Sequence, residues 1–304
     1  MKTYDKTEQF EDDLFYIDTR AHGMNGSIGV LAYKSGGENV IFDAGMPNSA
    51  SEILLSLRKL SINTESTRYV LLSHRHIDHA GGAFALLEQL PNASVGLHPF
   101  SVKGLSEPSK IYEGGRELFG DFATPMGPVQ TSSMQSLEDG EEIRLGEGVV
   151  RAIYSPGHTS DHIAYYIPQK RTLYCGDVLG SFSVKTAKMY PTSIYPSFDY
   201  AKYKTTISKM RSIDADVAVF SHFGVISGVD INQILDMSLA AYRALEEFVA
   251  VNSSSMDKEK LVRELKATLK EATEIFPGPV RDKAAEFIAR GFLEGSSPSK
   301  MGQQ

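Results

Sequence analysis

The amino-acid sequence predicts an α/β layered fold with an all-helical C-terminal extension, on three observations. Short β-branched and apolar runs alternate with helical patterns through the first 228 residues, the alternation that a layered α/β body requires. From residue 229 the strand-like runs stop and helix-period stripes take over. The 304 residues, 41% hydrophobic and 23% charged, supply a core for one large or two ordinary domains.

The strand-like runs are residues 28–33, 40–42, 69–72, 93–97 and 217–220, rich in Val, Ile, Leu, Phe and Tyr. Helical spacing fills residues 51–60, where Ile53, Leu54 and Leu57 share one face, and residues 83–90. Turn signals at Glu138-Asp139-Gly140 and Gly146-Glu147-Gly148 flank residues 142–145, so the segment through Ile153 reads as a small hairpin. Asp230 with Gln233 resembles a capping box, and Ile231, Ile234, Leu235, Tyr242, Leu245 and Val249 then recur at helical spacing. Asn252-Ser253-Ser254-Ser255 ends that helix, and Leu261, Leu265 and Leu269 align a second. Pro277-Gly278-Pro279 precedes a third helix through Phe287 and Ile288, and Gly295 onward reads as a loose tail. The chain therefore divides into a body, residues 1–228, and a helical extension, residues 229–304.

Composition narrows the function. The single Cys175 excludes an intrachain disulfide framework and any Cys-rich zinc or iron–sulfur site. No stretch reaches the ~18 consecutive apolar residues of a membrane-spanning helix, and the polar start Met1-Lys2-Thr3-Tyr4-Asp5-Lys6 lacks a signal core. A cytoplasmic protein is the expectation. The net charge is −7, neither part is basic, and no Lys/Arg cluster makes a phosphate-backbone footprint. Nucleic acid and membrane are thus not expected as partners, which leaves a small-molecule substrate.

The chemistry is concentrated in Ser73-His74-Arg75-His76-Ile77-Asp78-His79, directly after a strand-like run. At this chain's His and Asp frequencies, an HxHxDH pattern arises by chance about 3 times in 10,000. Imidazoles suit zinc, iron or manganese, and a carboxylate adds charge neutralisation. In an extended loop His74 and His76 reach one ion together, while Asp78 and His79 turn toward a second position. One loop cannot complete the coordination, and His158, Asp177 and His222 follow in order, each just past a strand-like run where α/β loops gather into a site. Together they offer seven ligands for two ions.

Phe42-Asp43-Ala44-Gly45, the HxHxDH stretch, Pro156-Gly157-His158-Thr159, Cys175-Gly176-Asp177 and Ser221-His222 resemble the metallo-β-lactamase superfamily over roughly residues 14–228. The resemblance implies an αββα sandwich, two mixed sheets face to face with helices outside. It implies His74, His76 and His158 on one metal, Asp78, His79 and His222 on a second, and Asp177 bridging both. The cofactors it implies are two divalent ions, zinc first and iron or manganese as alternatives. Two cations about 3.5–4 Å apart can share a water and lower its pKa toward ~7. The expected activity is therefore a hydrolase that attacks a thioester, ester or lactone with a metal-bridging hydroxide, with Asp78 and Asp177 as catalytic carboxylates. No side-chain nucleophile is needed, so Cys175 reads as a buried structural thiol.

Glyoxalase-II-like enzymes share this ligand set, but residues 178–183 lack their Gly- and Arg-rich continuation. Gly180 stands where acyl-homoserine-lactone lactonases carry a tyrosine. The helical extension and residues 176–180 are similar to the quinolone-signal-response thioesterase branch. Two alternatives stay open: a persulfide-dioxygenase-like redox enzyme with one iron at His74, His158 and Asp177, and a regulatory binding homologue acting through its extension. Asp43 either supports the metal loop, as the resemblance implies, or caps its own turn. His162 either lines the site or sits beneath it, and His22 and His98 read as ordinary surface or turn histidines. Phe182, Tyr190, Tyr195 and Phe223 are candidate apolar lining; the stripes after residue 230 read as packing faces, and covering the pocket mouth stays open as a second role for the extension.

Overall fold

The protein is described from a computed structural model covering residues 1–222 and 224–297. Two seven-stranded sheets face each other. The first runs in spatial order Glu8–Glu11, Leu14–Asp18, Gly29–Ser35, Glu38–Phe42, Thr67–Leu71, Ser94–Leu97 and Met134–Ser136. The second runs Lys2–Tyr4, Gly224–Ser227, Val217–Phe220, Thr172–Gly176, Ile163–Ile167, Gly148–Tyr154 and Glu142–Leu145.

Strand periodicity of two builds the layers. Leu14, Tyr16, Leu31, Tyr33, Val40 and Phe42 face the second sheet, meeting Val150, Ile163, Tyr165, Tyr174 and Val219 in one buried cluster. The alternate residues Phe15, Ile17, Val30, Ala32 and Ile41 face outward onto Ile53, Leu54 and Leu57 of the helix Ala50–Lys59. On the far side, Leu173, Cys175, Ala218 and Phe220 pack against Tyr203 and Ile207 of the helix Tyr200–Met210. The order helix, sheet, sheet, helix is the αββα sandwich expected. The hairpin between Gly29–Ser35 and Glu38–Phe42 turns on Gly36 and Gly37, both at positive φ (54° and 86°), as a two-residue turn matched to strand twist demands.

Parallel pairings position the site. Glu38–Phe42 pairs in parallel with Thr67–Leu71, and Thr172–Gly176 with Val217–Phe220. The chain leaves all four strands on one rim, and Asp43, the 73–79 loop, Asp177 and His222 stand there. Contacts between the sheets fix that rim: the Tyr165 hydroxyl donates to the Leu72 carbonyl at 2.7 Å, and the Ile163 N–H to the Ser73 carbonyl at 2.7 Å.

The C-terminal helices are Ile231–Asn252, Lys258–Thr268 and Gly278–Gly295. Asp230 caps the first, but by accepting from the Asn232 N–H at 2.7 Å rather than through a reciprocal bond with the Gln233 side chain. Tyr242, Leu265 and Phe292 from these helices share a buried cluster with Phe198, Tyr203 and Cys175, so the extension packs into the outer core. The third helix runs to Gly295, and the rest of the expected tail, residues 298–304, lies outside the described residues. Among the described residues no helix is long and apolar enough to cross a membrane.

Candidate metal centre

The structure brings all seven candidate residues to one point. The inward nitrogens of three rings converge: His76 Nδ1 lies 2.9 Å from His74 Nε2 and 3.0 Å from His158 Nε2. Beside them, His222 Nε2 lies 3.3 Å and His79 Nε2 3.7 Å from Asp78 Oδ2. Asp177 Oδ2 stands between the two sets, 3.5 Å from His158 Nε2, 3.5 Å from His79 Nε2 and 3.4 Å from His222 Nε2. The groups His74–His76–His158, His74–His79–Asp177 and Asp78–His79–His222 each hold their ligand atoms within 4.8 Å of one another.

The outward nitrogens set the tautomers. His158 Nδ1–H donates to the Thr192 carbonyl at 2.6 Å, and His222 Nδ1–H to the Ser27 carbonyl at 3.2 Å, because a carbonyl can only accept. His79 Nδ1–H donates to Asp43 Oδ2 at 2.8 Å. The Ser73 hydroxyl donates to Asp43 Oδ2 at 2.8 Å, so at 3.0 Å it can only accept from His74 Nδ1–H. Four rings therefore carry their proton outward and turn an Nε2 lone pair inward, the tautomer that a cation needs.

Asp43 is the hub of this support. It sits at φ 63°, a left-handed conformation that aims the carboxylate back under the 73–79 loop. Besides His79 and the Ser73 hydroxyl, it accepts from the Ser73 N–H (2.6 Å), the Tyr174 hydroxyl (2.8 Å) and the Ser221 hydroxyl (3.2 Å). It thus supports the loop. His162 lies fully buried beneath the site: its Nε2 accepts from the Asp177 N–H at 3.1 Å, and its Nδ1–H donates to Ser155 Oγ at 2.8 Å. The left-handed Gly176 (φ 51°) makes this possible, since a Cβ there would stand 2.7 Å from His162 Nε2.

Electrostatics divide the site. Burial disfavours charge on His158 and His162, and their pKa values fall to about 4 and about 3. Burial also opposes charge on His222 and His79, but Asp177 and Asp78 overcome it, raising His222 to about 10 and His79 well above its usual range. The same rings hold Asp78 and Asp177 well below the carboxylate range, against the opposing effect of burial. This half of the site calls for positive charge, and a divalent cation supplies it. Among the described residues, the buried atoms without a hydrogen-bond partner include two of this site, His79 Nε2 and Asp177 Oδ1. Such orphans have a physical account if an ion or its water completes them, so these residues could hold a divalent metal.

Residues that the sequence reasoning missed are the hydroxyls of Ser73, Tyr174 and Ser221, and Asp161. The Asp161 carboxylate accepts from the Arg75 N–H at 3.1 Å and from Ser101 Oγ at 2.6 Å, and so pins the 73–79 loop from outside. Its seat between His158 and His162 was the available signal. His98 is not a surface residue: it is 6% exposed and caps the turn Pro99–Ser101 by accepting from the Phe100 N–H. His22 stands in a left-handed turn (φ 59°), its ring 5.3 Å from that of Phe119.

A cavity of about 640 Å³ opens on His76, Asp78, Asp177 and His222. Tyr195 lines it, whereas Phe182 and Tyr190 belong to a neighbouring cavity of about 860 Å³. Phe223 lies outside the described residues. The extension contributes Ala272, Ile275, Phe276, Phe287 and Ile288 to the wall. Cys175 stays buried on the helix side of its sheet, and burial pushes its thiol pKa up.

Residues 23–222 match the metallo-beta-lactamase superfamily, well over half of the chain. The chain belongs to that superfamily. Among its superfamily relatives, a hydroxyacylglutathione hydrolase of Legionella pneumophila (strain Corby) is 29% identical over 154 residues, 51% of this chain and 48% of that protein. An atrochrysone carboxyl ACP thioesterase of Cryptosporiopsis sp. (strain 8999) is 31% identical over 147 residues, 48% of this chain and 37% of that protein. The chain thus spans about half the length of the first of these relatives, and less of the second. The crystal structure of ST1585, an archaeal superfamily protein from Sulfolobus tokodaii, has the same fold at a TM-score of 0.65. It is 23% identical and covers 88% of this chain and 93% of its own.

Proposed function

We propose that this protein is a dinuclear metal-dependent hydrolase of thioesters, esters or lactones, with residues 1–228 as its catalytic body and residues 229–304 as an extension that walls the substrate cavity. The observation that supports the reading is the overlap of three ligand groups, His74–His76–His158, His74–His79–Asp177 and Asp78–His79–His222, with His79 Nε2 and Asp177 Oδ1 buried and without a hydrogen-bond partner among the described residues. His74, His76 and His158 would hold one ion, Asp78, His79 and His222 the other, and Asp177 would touch both. Zinc leads among the candidates for this N/O donor set, followed by iron and manganese. Bound divalent ions supply polarisation of a substrate carbonyl and activation of water near neutral pH.

The chain supplies the rest. Asp43, Ser73 and the carbonyls of Ser27 and Thr192 fix the rings, so that the donor set is organised before substrate arrives. Asp78 and Asp177 line the cavity as ionised carboxylates. Asp177 Oδ1, with no hydrogen-bond partner among the described residues, is free to accept a hydrogen bond from the attacking water and so orient it. A covalent route through Cys175 is closed, because that thiol is fully buried away from the cavity. A single-iron site at His74, His158 and Asp177 would leave the convergence of Asp78, His79 and His222 without a purpose. The hydrolase and thioesterase names of two relatives point the same way. The test is turnover of acyl thioesters, aryl esters, lactones and phosphodiesters by metal-loaded protein. Hydrolysis of an acyl compound, abolished in Asp177→Asn, is expected; no turnover of any of them rejects the reading.

A further inference from the structure

The helix Ser109–Phe119 carries two consecutive glycines, Gly114 and Gly115, in its interior. Each lowers helix stability relative to Ala. Packing explains one of them. A Cβ on Gly115 would stand 2.6 Å from Cγ2 of Ile77, inside the 73–79 loop, so the helix needs glycine there to press against the candidate metal centre. Packing does not explain the other. A Cβ on Gly114 meets nothing within 4 Å: the position is exposed and lies on the lining of the 640 Å³ cavity.

The cavity has an apolar part and a charged part. Ile111 and Leu118 of the helix and Phe276, Phe287 and Ile288 of the extension line the first, whereas Arg75, Lys103, Glu107, Lys110 and Glu117 line the second. Its volume falls within the ~300–1,000 Å³ that enclose small ligands. The metal ligands His76, Asp78, Asp177 and His222 form one side, so a group lying in the cavity is joined to an atom at the centre.

Resting on the hydrolase reading above, we propose that the substrate carries a large apolar acyl or aryl group, held between the helix Ser109–Phe119 and the extension, and that Gly114 is the specificity-determining residue that leaves it room. A side chain at Gly114 occupies that space without disturbing the fold, since its Cβ starts in the open and any residue but proline favours the helix more.

The test compares acetate with octanoate, two carboxylates differing by six methylenes, bound at equilibrium to the metal-loaded protein in calorimetry. Both present the same carboxylate to the centre, so their ratio reads the apolar wall alone. Each buried methylene is worth about fourfold in affinity. Octanoate is expected to bind at least ~100-fold tighter than acetate, since only part of the chain need be enclosed. Gly114→Phe should weaken octanoate at least ~10-fold while acetate stays within ~2-fold, which also shows that the variant is folded. Gly114→Ala, a minimal intrusion, should fall between. Octanoate binding no tighter than acetate, or equally tight in Gly114→Phe, overturns the proposal. Failure of the two readings is distinguishable: turnover of short esters with no preference for octanoate rejects only the apolar chamber, whereas tight octanoate binding without turnover of any ester rejects only the hydrolase.

Discussion

Replacing Asp43 by Asn tests whether the fold prearranges the metal ligands. The change is isosteric, so it leaves packing alone and alters hydrogen bonding and the buried negative charge beside His79. Asp43 Oδ2 accepts from His79 Nδ1–H, the Ser73 and Tyr174 hydroxyls and Ser221 Oγ, while Oδ1 accepts from the Ser73 N–H. An Asn cannot serve both sides. With its oxygen toward His79, its NH2 meets the Ser73 N–H; turned over, its NH2 meets His79 Nδ1–H. The first arrangement leaves a buried donor facing a donor, which costs about 1–3 kcal/mol of folding stability. The second drives the His79 proton to Nε2 and removes the lone pair that faces Asp78 and Asp177. Loss of such a supporting carboxylate typically weakens metal affinity about 10–100-fold. Zinc titration against a competing chelator measures the affinity, and urea unfolding of metal-depleted protein measures the stability. A variant with wild-type values in both assays would refute the hub role of Asp43 and the tautomer argument with it.

Further outcomes follow from the same geometry. Asp177→Asn removes the carboxylate common to both ligand groups and should lower kcat/KM by more than about 100-fold in a steady-state ester assay; a fall under tenfold would contradict its placement. Adding the native metal at about 1,000 times its Kd should stabilise the fold by about 4 kcal/mol, seen as a shifted urea midpoint that a chelator reverses. Phe292→Ala, at a 1% exposed position in tilted and edge-on contact with Phe198, Tyr200 and Tyr242, should cost about 3–5 kcal/mol in urea unfolding; a loss below ~1 kcal/mol would mean that the extension is not part of the core. Cys175→Ala should keep full kcat, and iodoacetamide should leave the native enzyme active, because the thiol is buried and burial pushes its pKa up.

The sandwich and the ligand residues were legible because both leave local marks. Alternating apolar strands announce two-faced sheets, and His158, Asp177 and His222, each of which alone reads as an ordinary turn residue after a strand, gain meaning from the HxHxDH stretch. What escaped was non-local or without a side-chain signature. The strand Lys2–Tyr4 is short and polar, and it exists only because Gly224–Ser227, more than 200 residues later, offers an edge to pair with. Backbone carbonyls orient His158 and His222, and no sequence pattern flags a carbonyl. Ser73, Tyr174 and Ser221 look like ordinary strand-end residues until the two sheets bring them around Asp43. Of the expected aromatic lining only Tyr195 is on the 640 Å³ cavity among the described residues, since the strands Ser181–Ser183 and Lys188–Tyr190 form a separate hairpin that places Phe182 and Tyr190 on the neighbouring cavity.

The most direct measurement is anomalous diffraction at the zinc edge from crystals of the zinc-loaded protein. Two peaks are predicted, one bounded by His74, His76 and His158 and the other by Asp78, His79 and His222, with Asp177 reaching both. A single peak, or density bound anywhere other than between these side chains, would contradict the dinuclear centre on which the proposed hydrolysis rests.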